Sequence, residues 1–298
     1  MKRRGCGVNR ALVAMVGAMF CFSLANLCVR VLTHAGAVSQ QALFISTLGV
    51  SLVLGAVLYF KHGWIGLIGH NRRTLLIRGL TGFGSGACFL YTISKMTLAD
   101  AAMIQYLNPL FVAVLAPFIN RERVRKAHWV MFGVALIGAA LLMKPKFEYA
   151  PWPALVGLAG AALSGIAYSY VRALRKTEDE RTIILYYSGL SVILAFPGLG
   201  YRWSPIPASI WWVAPGMVLG LLAGQLLMTY GLTRESGARA TGVTYSAVVF
   251  NALWGYLFFR ETVDTLSFIG AALVVAGVVG IAAVKDKPEL DVGQAGGE

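Results

Sequence analysis

Charge is what this sequence is short of. Only 13% of its 298 residues are Asp, Glu, Lys or Arg, about half the share carried by a soluble domain. So few charges cannot cover a water-facing surface. Acidic residues are the scarcer kind, 13 against 26 Lys and Arg. The four cysteines, Cys6, Cys21, Cys28 and Cys88, show no paired spacing. Three lie inside apolar runs, so they read as small buried hydrophobes and not as a disulfide framework. The four histidines, His34, His62, His70 and His128, fall in loops or at the start of an apolar run. There is no Walker loop and no metal-spaced cluster of His, Cys and acids, so ATP-driven pumping, a resident metal and a cofactor all lack support.

Apolar residues make up 57% of the chain and arrive in blocks of about twenty, each long enough to cross a hydrocarbon core. Ten spans are predicted, at 10–32, 41–60, 74–96, 98–119, 127–143, 151–173, 182–200, 209–232, 238–259 and 266–284. Backbone groups in lipid must bond within their own segment, and the alternation of a barrel strand is absent, so the spans are helices and the fold class is an all-α membrane protein. Lys2-Arg3-Arg4 before an apolar run resembles a signal peptide, but the run continues to Leu32, too long for one, and reads as a retained first span. The tail after Lys285, with Gly293, Gly296 and Gly297, is expected to be a disordered cytoplasmic end.

A net charge of +13 raises nucleic acid as a partner. The basic residues sit in short loops between spans, which argues against it and for orientation signals instead. With the N-terminus inside, the cytoplasmic set is Lys2, Arg3, Arg4 and Arg10; Lys61, Arg72, Arg73 and Arg78; Arg121, Arg123, Arg125 and Lys126; Arg172, Arg175, Lys176 and Arg181; and Arg234, Arg239, Lys285 and Lys287. The opposite side holds only Arg30, Lys95, Lys144, Lys146, Arg202 and Arg260. This bias predicts a multi-pass protein with both termini cytoplasmic.

Shifting the chain by 139 residues places Tyr91 on Tyr230, Lys95 on Arg234, Tyr106 on Tyr245, Arg121-Glu122 on Arg260-Glu261 and Gly138 on Gly277. The first span matches the sixth at a slightly larger shift, with Gly17-Ala18 on Gly160-Ala161. Each copy holds five spans, an odd number, so the two copies cross in opposite senses. The charges agree. The basic loop 120–126 corresponds to 259–265, which has lost three basic residues. Two five-helix repeats are expected at 1–146 and 147–285, in the inverted arrangement recurrent among secondary transporters.

The segments LADAAMIQYLNPLFVAVLAPFINRE at 98–122 and SGARATGVTYSAVVFNALWGYLFFRE at 236–261, each followed by a final helix rich in Gly and Ala, resemble the drug/metabolite transporter superfamily, in particular its EamA-type branch of ten-helix bacterial carriers. The resemblance covers nearly the whole chain. It departs where both copies read Arg-Glu in place of a frequent Gly-Glu. It implies an inner-membrane location, a cavity among spans 1, 3, 4, 6, 8 and 9, and export of an amino-acid-like or metallophore-type compound. Uptake of a vitamin or nucleoside-type metabolite is the alternative, and a second copy of the chain is an open partner.

The residues themselves offer a site in the same spans. Gln105 and Asn108 share a face of span 4 ahead of Pro109, and Thr241, Thr244 and Asn251 share a face of span 9. Gln225, Asn26, Tyr168, Tyr91 and Tyr230 add to the candidates from spans 8, 1, 6, 3 and 8. The competing reading is that these side chains join helices by hydrogen bonds. No carboxylate sits mid-span, so a buried acid relay is not expected. Arg30, Arg78, Lys95 and Arg172 lie near span ends and read as snorkelling, with the repeat-related Lys95 and Arg234 singled out as cations that would favour an anionic cargo. Gly82 and Gly86, and Gly216, Gly220 and Gly224, read as close-packing seams. Gly82-Phe83-Gly84-Ser85-Gly86 resembles a serine nucleophile loop, but no buried base accompanies Ser85, so an intramembrane enzyme is a distant alternative. A channel would show charge rings or filter carbonyls, and neither is visible. No catalytic residue is expected.

Overall fold

The structure is a computed structural model that describes residues 10–122, 124–146, 151–199, 204–259 and 264–284. The tail after Lys285 lies outside the described residues. Among the described residues every regular element is helical: α1 (Arg10–His34), α2 (Ser39–Ile68), α3 (Arg72–Ile93), α4 (Leu98–Gln105), α5 (Asn108–Ile119), α6 (Lys126–Met143), α7 (Pro151–Ala173), α8 (Glu180–Leu199), α9 (Val213–Arg234), α10 (Gly237–Gly242), α11 (Ser246–Phe259) and α12 (Thr265–Ala283). Eight helical segments are long and apolar enough to cross a bilayer. The outer surface is equally apolar, with Phe60, Phe118, Ile193, Leu219, Phe258 and Phe268 all exposed. Trp64, Trp152, Trp211 and Trp212 are exposed near helix ends, where amphipathic rings suit a lipid headgroup region. This is an integral membrane protein.

Two spans expected to be continuous are broken. The chain leaves the helix at Tyr106 and Leu107 between α4 and α5, and passes through a 3-10 turn at Val243–Tyr245 between α10 and α11. The first break follows from Pro109, which has no N–H to give the Gln105 carbonyl and whose ring crowds the preceding turn. The second has no proline. There Thr241 Oγ1 donates to the Gly237 carbonyl at 2.7 Å, and Thr244 Oγ1 to the Thr241 carbonyl at 2.6 Å, back-bonding that bends helices. Tyr106 and Tyr245 flank the two breaks and stack on each other, ring centroids 5.9 Å apart.

The main helix pairings run α1 along α9, α3 along α7, α2 along α8 and α6 along α12. Small residues set how close these pairs come. A Cβ at Gly138 would lie 2.6 Å from the Val274 backbone nitrogen, and one at Gly277 would lie 2.8 Å from that of Ala135. A shift of 139 carries Gly138 onto Gly277 and Ala135 onto Val274, so the second pair is the first with its members exchanged. The pairs α1–α9 and α3–α7 are related likewise, once the slightly larger shift of the first span is used: Gly17 meets Leu227 and Gly160 meets Cys88. Gly216, Gly220 and Gly224 press on Cys28, Ala25 and Phe22 of α1, as packing seams should.

Helix ends carry the ion pairs. Glu122, after α5, pairs with Arg172 of α7 and accepts the Gly237 N–H at 2.9 Å. Arg172 also donates to the Leu232 carbonyl at 3.3 Å, so it is tied down in the protein and does not snorkel. Arg234 pairs with Glu180, Arg239 with Glu235 at 2.9 Å, and Glu178 accepts the N–H groups of His70 and Asn71. At the opposite helix ends Lys144 meets Asp264 at 2.7 Å. That ammonium and the Ser267 cap hold the Asp264 carboxyl well below the usual carboxylate range.

Gly138→Ala and Gly277→Ala are expected to lower the melting temperature of the detergent-purified protein. Gly133→Ala in the same α6, where a Cβ would meet nothing within 4 Å, should be neutral or stabilising by up to about 1 kcal/mol from helix propensity. Glu122→Gln leaves Arg172 buried without its counter-charge and should cost about 3–5 kcal/mol; a second change, Arg172→Met, should recover part of it in the same melting assay.

Candidate functional site

A cavity of about 160 Å³ opens between α3 and α4 on one side and α7, α8 and α9 on the other. Its polar centre is a triad of neutral groups. The Ser85 and Ser164 hydroxyls lie 2.8 Å apart, and Gln105 Nε2 donates to Ser164 at 2.9 Å and to Ser85 at 3.3 Å. Ser85 and Ser164 each sit about 20 Å from the start of their helix, so they meet past the middle of α3 and α7. Gln105 reaches them because it ends α4 where Pro109 breaks the span, which turns a side chain into the gap between helices. A wider depression of about 520 Å³ lies at the ends of α6 and α12, beside Arg125, Lys126 and Ala283. It is an open surface dent without a convergent polar set, and the inter-helix cavity is the better candidate.

Arg78 forms one end of the cavity. It is 2% exposed, its guanidinium carbon lies 4.8 Å from the centroid of the Tyr187 ring, and its Nε and Nη1 have no hydrogen-bond partner. The sequence suggests snorkelling for Arg78, but it points inward. Gly82, one turn on, leaves it room, since a Cβ there would come within 2.4 Å of Nη1. Gly86 also lines the cavity and faces open space. On α3, therefore, the small residues make a hollow, whereas those on α9 make a seam.

Of the candidates drawn from sequence, Gln105, Tyr168 and Gln225 line this cavity. Gln225 is buried with its Oε1 unpartnered. Asn108 is buried at the helix break with its Oδ1 unpartnered, outside the cavity lining. Thr244 is buried and spends its hydroxyl on its own backbone, while Asn251 lies near Tyr106, beside the stacked tyrosines and outside the cavity lining. Tyr230 lies under the Arg234 guanidinium, 3.7 Å from carbon to ring centroid. Asn26, Tyr91 and Lys95 are exposed, and Arg234 is exposed and paired with Glu180. The cation in the cavity is thus Arg78, and neither Lys95 nor Arg234 lines it.

Sequence reasoning passed over Ser164 and Tyr187 and set Arg78 aside. A signal was available for Arg78, an ionisable residue about one turn inside the predicted third span. Nothing local distinguishes Ser164 or Tyr187 from the many hydroxyl residues of the other spans. Ser46, Thr47 and Ser188, for example, bond only to their own helix carbonyls. Span 7 joins the cavity through Tyr187, and spans 1 and 9 contribute nothing to its lining.

Known proteins share this architecture. A solved crystal structure superposes with a TM-score of 0.78 at 19% identity, covering 91% of this chain and 95% of that one. The pseudopaline exporter CntI of Pseudomonas aeruginosa is 28% identical over 274 residues, 90% of this chain and 94% of the relative. The S-adenosylmethionine uptake transporter of Rickettsia felis is 24% identical over 222 residues, 69% and 73% of the two chains. The profile of the EamA-like transporter family matches residues 9–144 and 151–283. These relatives are transporters and not enzymes, and the Ser85 hydroxyl is engaged by Ser164 and Gln105. With nearly its whole length matched, the chain belongs to the EamA-like transporter family.

Proposed function

We propose that this membrane transporter exports a small organic metabolite of amino-acid-like or metallophore-type chemistry across the bacterial inner membrane, by alternating access around the cavity between α3–α4 and α7–α9. The observation that carries the reading is the cavity itself, a hollow between helices whose lining converges on Arg78, Ser85, Gln105, Ser164 and Gln225. Such sites lie between repeats in secondary transporters. In this reading α3 and α8 also cross the membrane, for ten spans in all, and the halves 1–146 and 147–285 are inverted copies. The two separate family matches, the exchanged glycine contacts, the self-stacked Tyr106 and Tyr245, and the breaks in both equivalent spans support this arrangement.

Export is favoured over uptake because the exporter relative is matched over more of both chains than the uptake relative is. The helix ends assigned to the cytoplasm by the charge bias are also the ones tied together by Glu122–Arg172, Glu178–Asn71 and Glu180–Arg234. These are contacts that would have to open to admit an intracellular cargo.

A deletion strain should retain a metabolite that its parent releases to the medium; failure to accumulate a supplied solute would instead favour uptake. Gln105→Ala should cut release at least about tenfold at unchanged membrane abundance, since Gln105 organises both serines; full activity would remove it from the site. In a cysteine-free background, Arg123→Cys and Thr262→Cys should label from opposite faces of the membrane, and labelling from the same face would end the inverted arrangement.

A further inference from the structure

We propose that Arg78 is the receptor for a carboxylate on the transported molecule, and that the cargo is a small amino-carboxylate. The inference rests on the cavity being the transport site, and names what it takes.

A guanidinium cannot give up its charge in a protein. Arg78 is nevertheless buried at 2% exposure with Nε and Nη1 unpartnered, and no Asp or Glu lines the cavity. The seven acids of the described residues have other partners: Glu122 pairs with Arg172, Glu180 with Arg234, Glu235 with Arg239 and Asp264 with Lys144, while Asp100 meets Thr97, Glu178 accepts from the His70 and Asn71 N–H groups and Asp179 from that of Arg181. A buried cation without its counter-charge is costly, and the Tyr187 face at 4.8 Å returns only a part of that cost. Packing does not account for the residue, since an apolar side chain would fill the volume without the penalty. The arrangement makes sense when the missing anion arrives with the cargo.

The planar fork of Arg matches a carboxylate, two N–H groups to two oxygens. Among the described residues Arg78 is the one cation in the lining. It balances a single negative charge and not the roughly two charges of a phosphate monoester. Gln225 supplies the second requirement. Its Oε1, buried and unpartnered on the same cavity, is an acceptor for an N–H or ammonium group on the same molecule. At about 160 Å³ the hollow is smaller than a drug-sized cleft of about 300–1,000 Å³, which suits an amino acid or the amino-carboxylate end of a longer compound.

The test has two arms. In purified, cargo-free protein, Arg78→Met should melt at the wild-type temperature or above, because it removes an uncompensated charge. A fall of several degrees would mean that the protein itself holds Arg78, and would overturn the proposal. In the deletion strain, wild type, Arg78→Met and Arg78→Lys are supplied at matched membrane levels, and the retained metabolite is identified by mass spectrometry. Wild type should restore release, Arg78→Met should reduce it about tenfold or more, and Arg78→Lys should restore part. A retained compound without a carboxylate, or full release by Arg78→Met, overturns the role of Arg78 while leaving transport intact. Identical metabolite pools in the deletion strain and its parent would instead defeat the transport reading, and the melting arm would still decide whether Arg78 lacks its counter-charge.

Discussion

Close approach of helices from opposite halves of the chain is the constraint on which this structure depends. Without water in a bilayer core there is little hydrophobic drive to bring one apolar helix against another, so association rests on packing at short range. Glycine supplies it. At Gly138, Gly270 and Gly277 the backbones of α6 and α12 come so near that a Cβ would collide with main-chain atoms. Gly220, Gly224 and Gly231 let α9 lie close on α1, where a Cβ would meet Ala25 and the Cys21 carbonyl, the Phe22 ring and the Met15 side chain. The halves are thereby interleaved, and the cavity is what remains where the seam between α3, α7 and α8 is left incomplete.

Positions in the same repeat register are unlike in chemistry. Positions related by the 139-residue shift to Arg78, Ser85 and Gln105 hold Met217, Gly224 and Thr244. Met217 is fully buried in an apolar cluster, and Gly224 is covered by Phe22. At two of these three positions the polar group is thus replaced by a small or apolar residue, and the polar chemistry gathers on the α3–α4 side.

Stability and function pull apart at the cavity. The buried pair of Glu122 and Arg172 is mutually satisfied and reinforced by the backbone at Gly237 and Leu232, and contributes to holding helix ends in register. Arg78 is equally buried and has no such partner among the described residues. An unsatisfied group at the centre of an otherwise well-paired structure marks a place where a ligand can do what the protein does not.

The membrane class and the positions of most helices were legible in the sequence because the bilayer imposes them locally: twenty apolar residues must form a helix wherever they occur. The 139-residue register could also be read directly; Pro109 signalled a carbonyl left without its N–H, but the span around it was expected to continue and is broken there. The site was legible only in part. Gln105, Tyr168 and Gln225 could be picked as polar groups within spans, but so could Asn26 and Tyr91, which are exposed, and Thr244, which bonds its own backbone. Whether a hydroxyl or amide meets a neighbour across 79 residues, as Ser164 meets Ser85, or folds back on its own helix depends on how helices rotate about their axes. That rotation is fixed by glycine contacts between segments far apart in the chain. The sequence by itself determined the number of apolar blocks, their helical state and the bias of their loops. Only the tertiary structure decided which face of each helix turns inward, and with it that the cation in the cavity is Arg78.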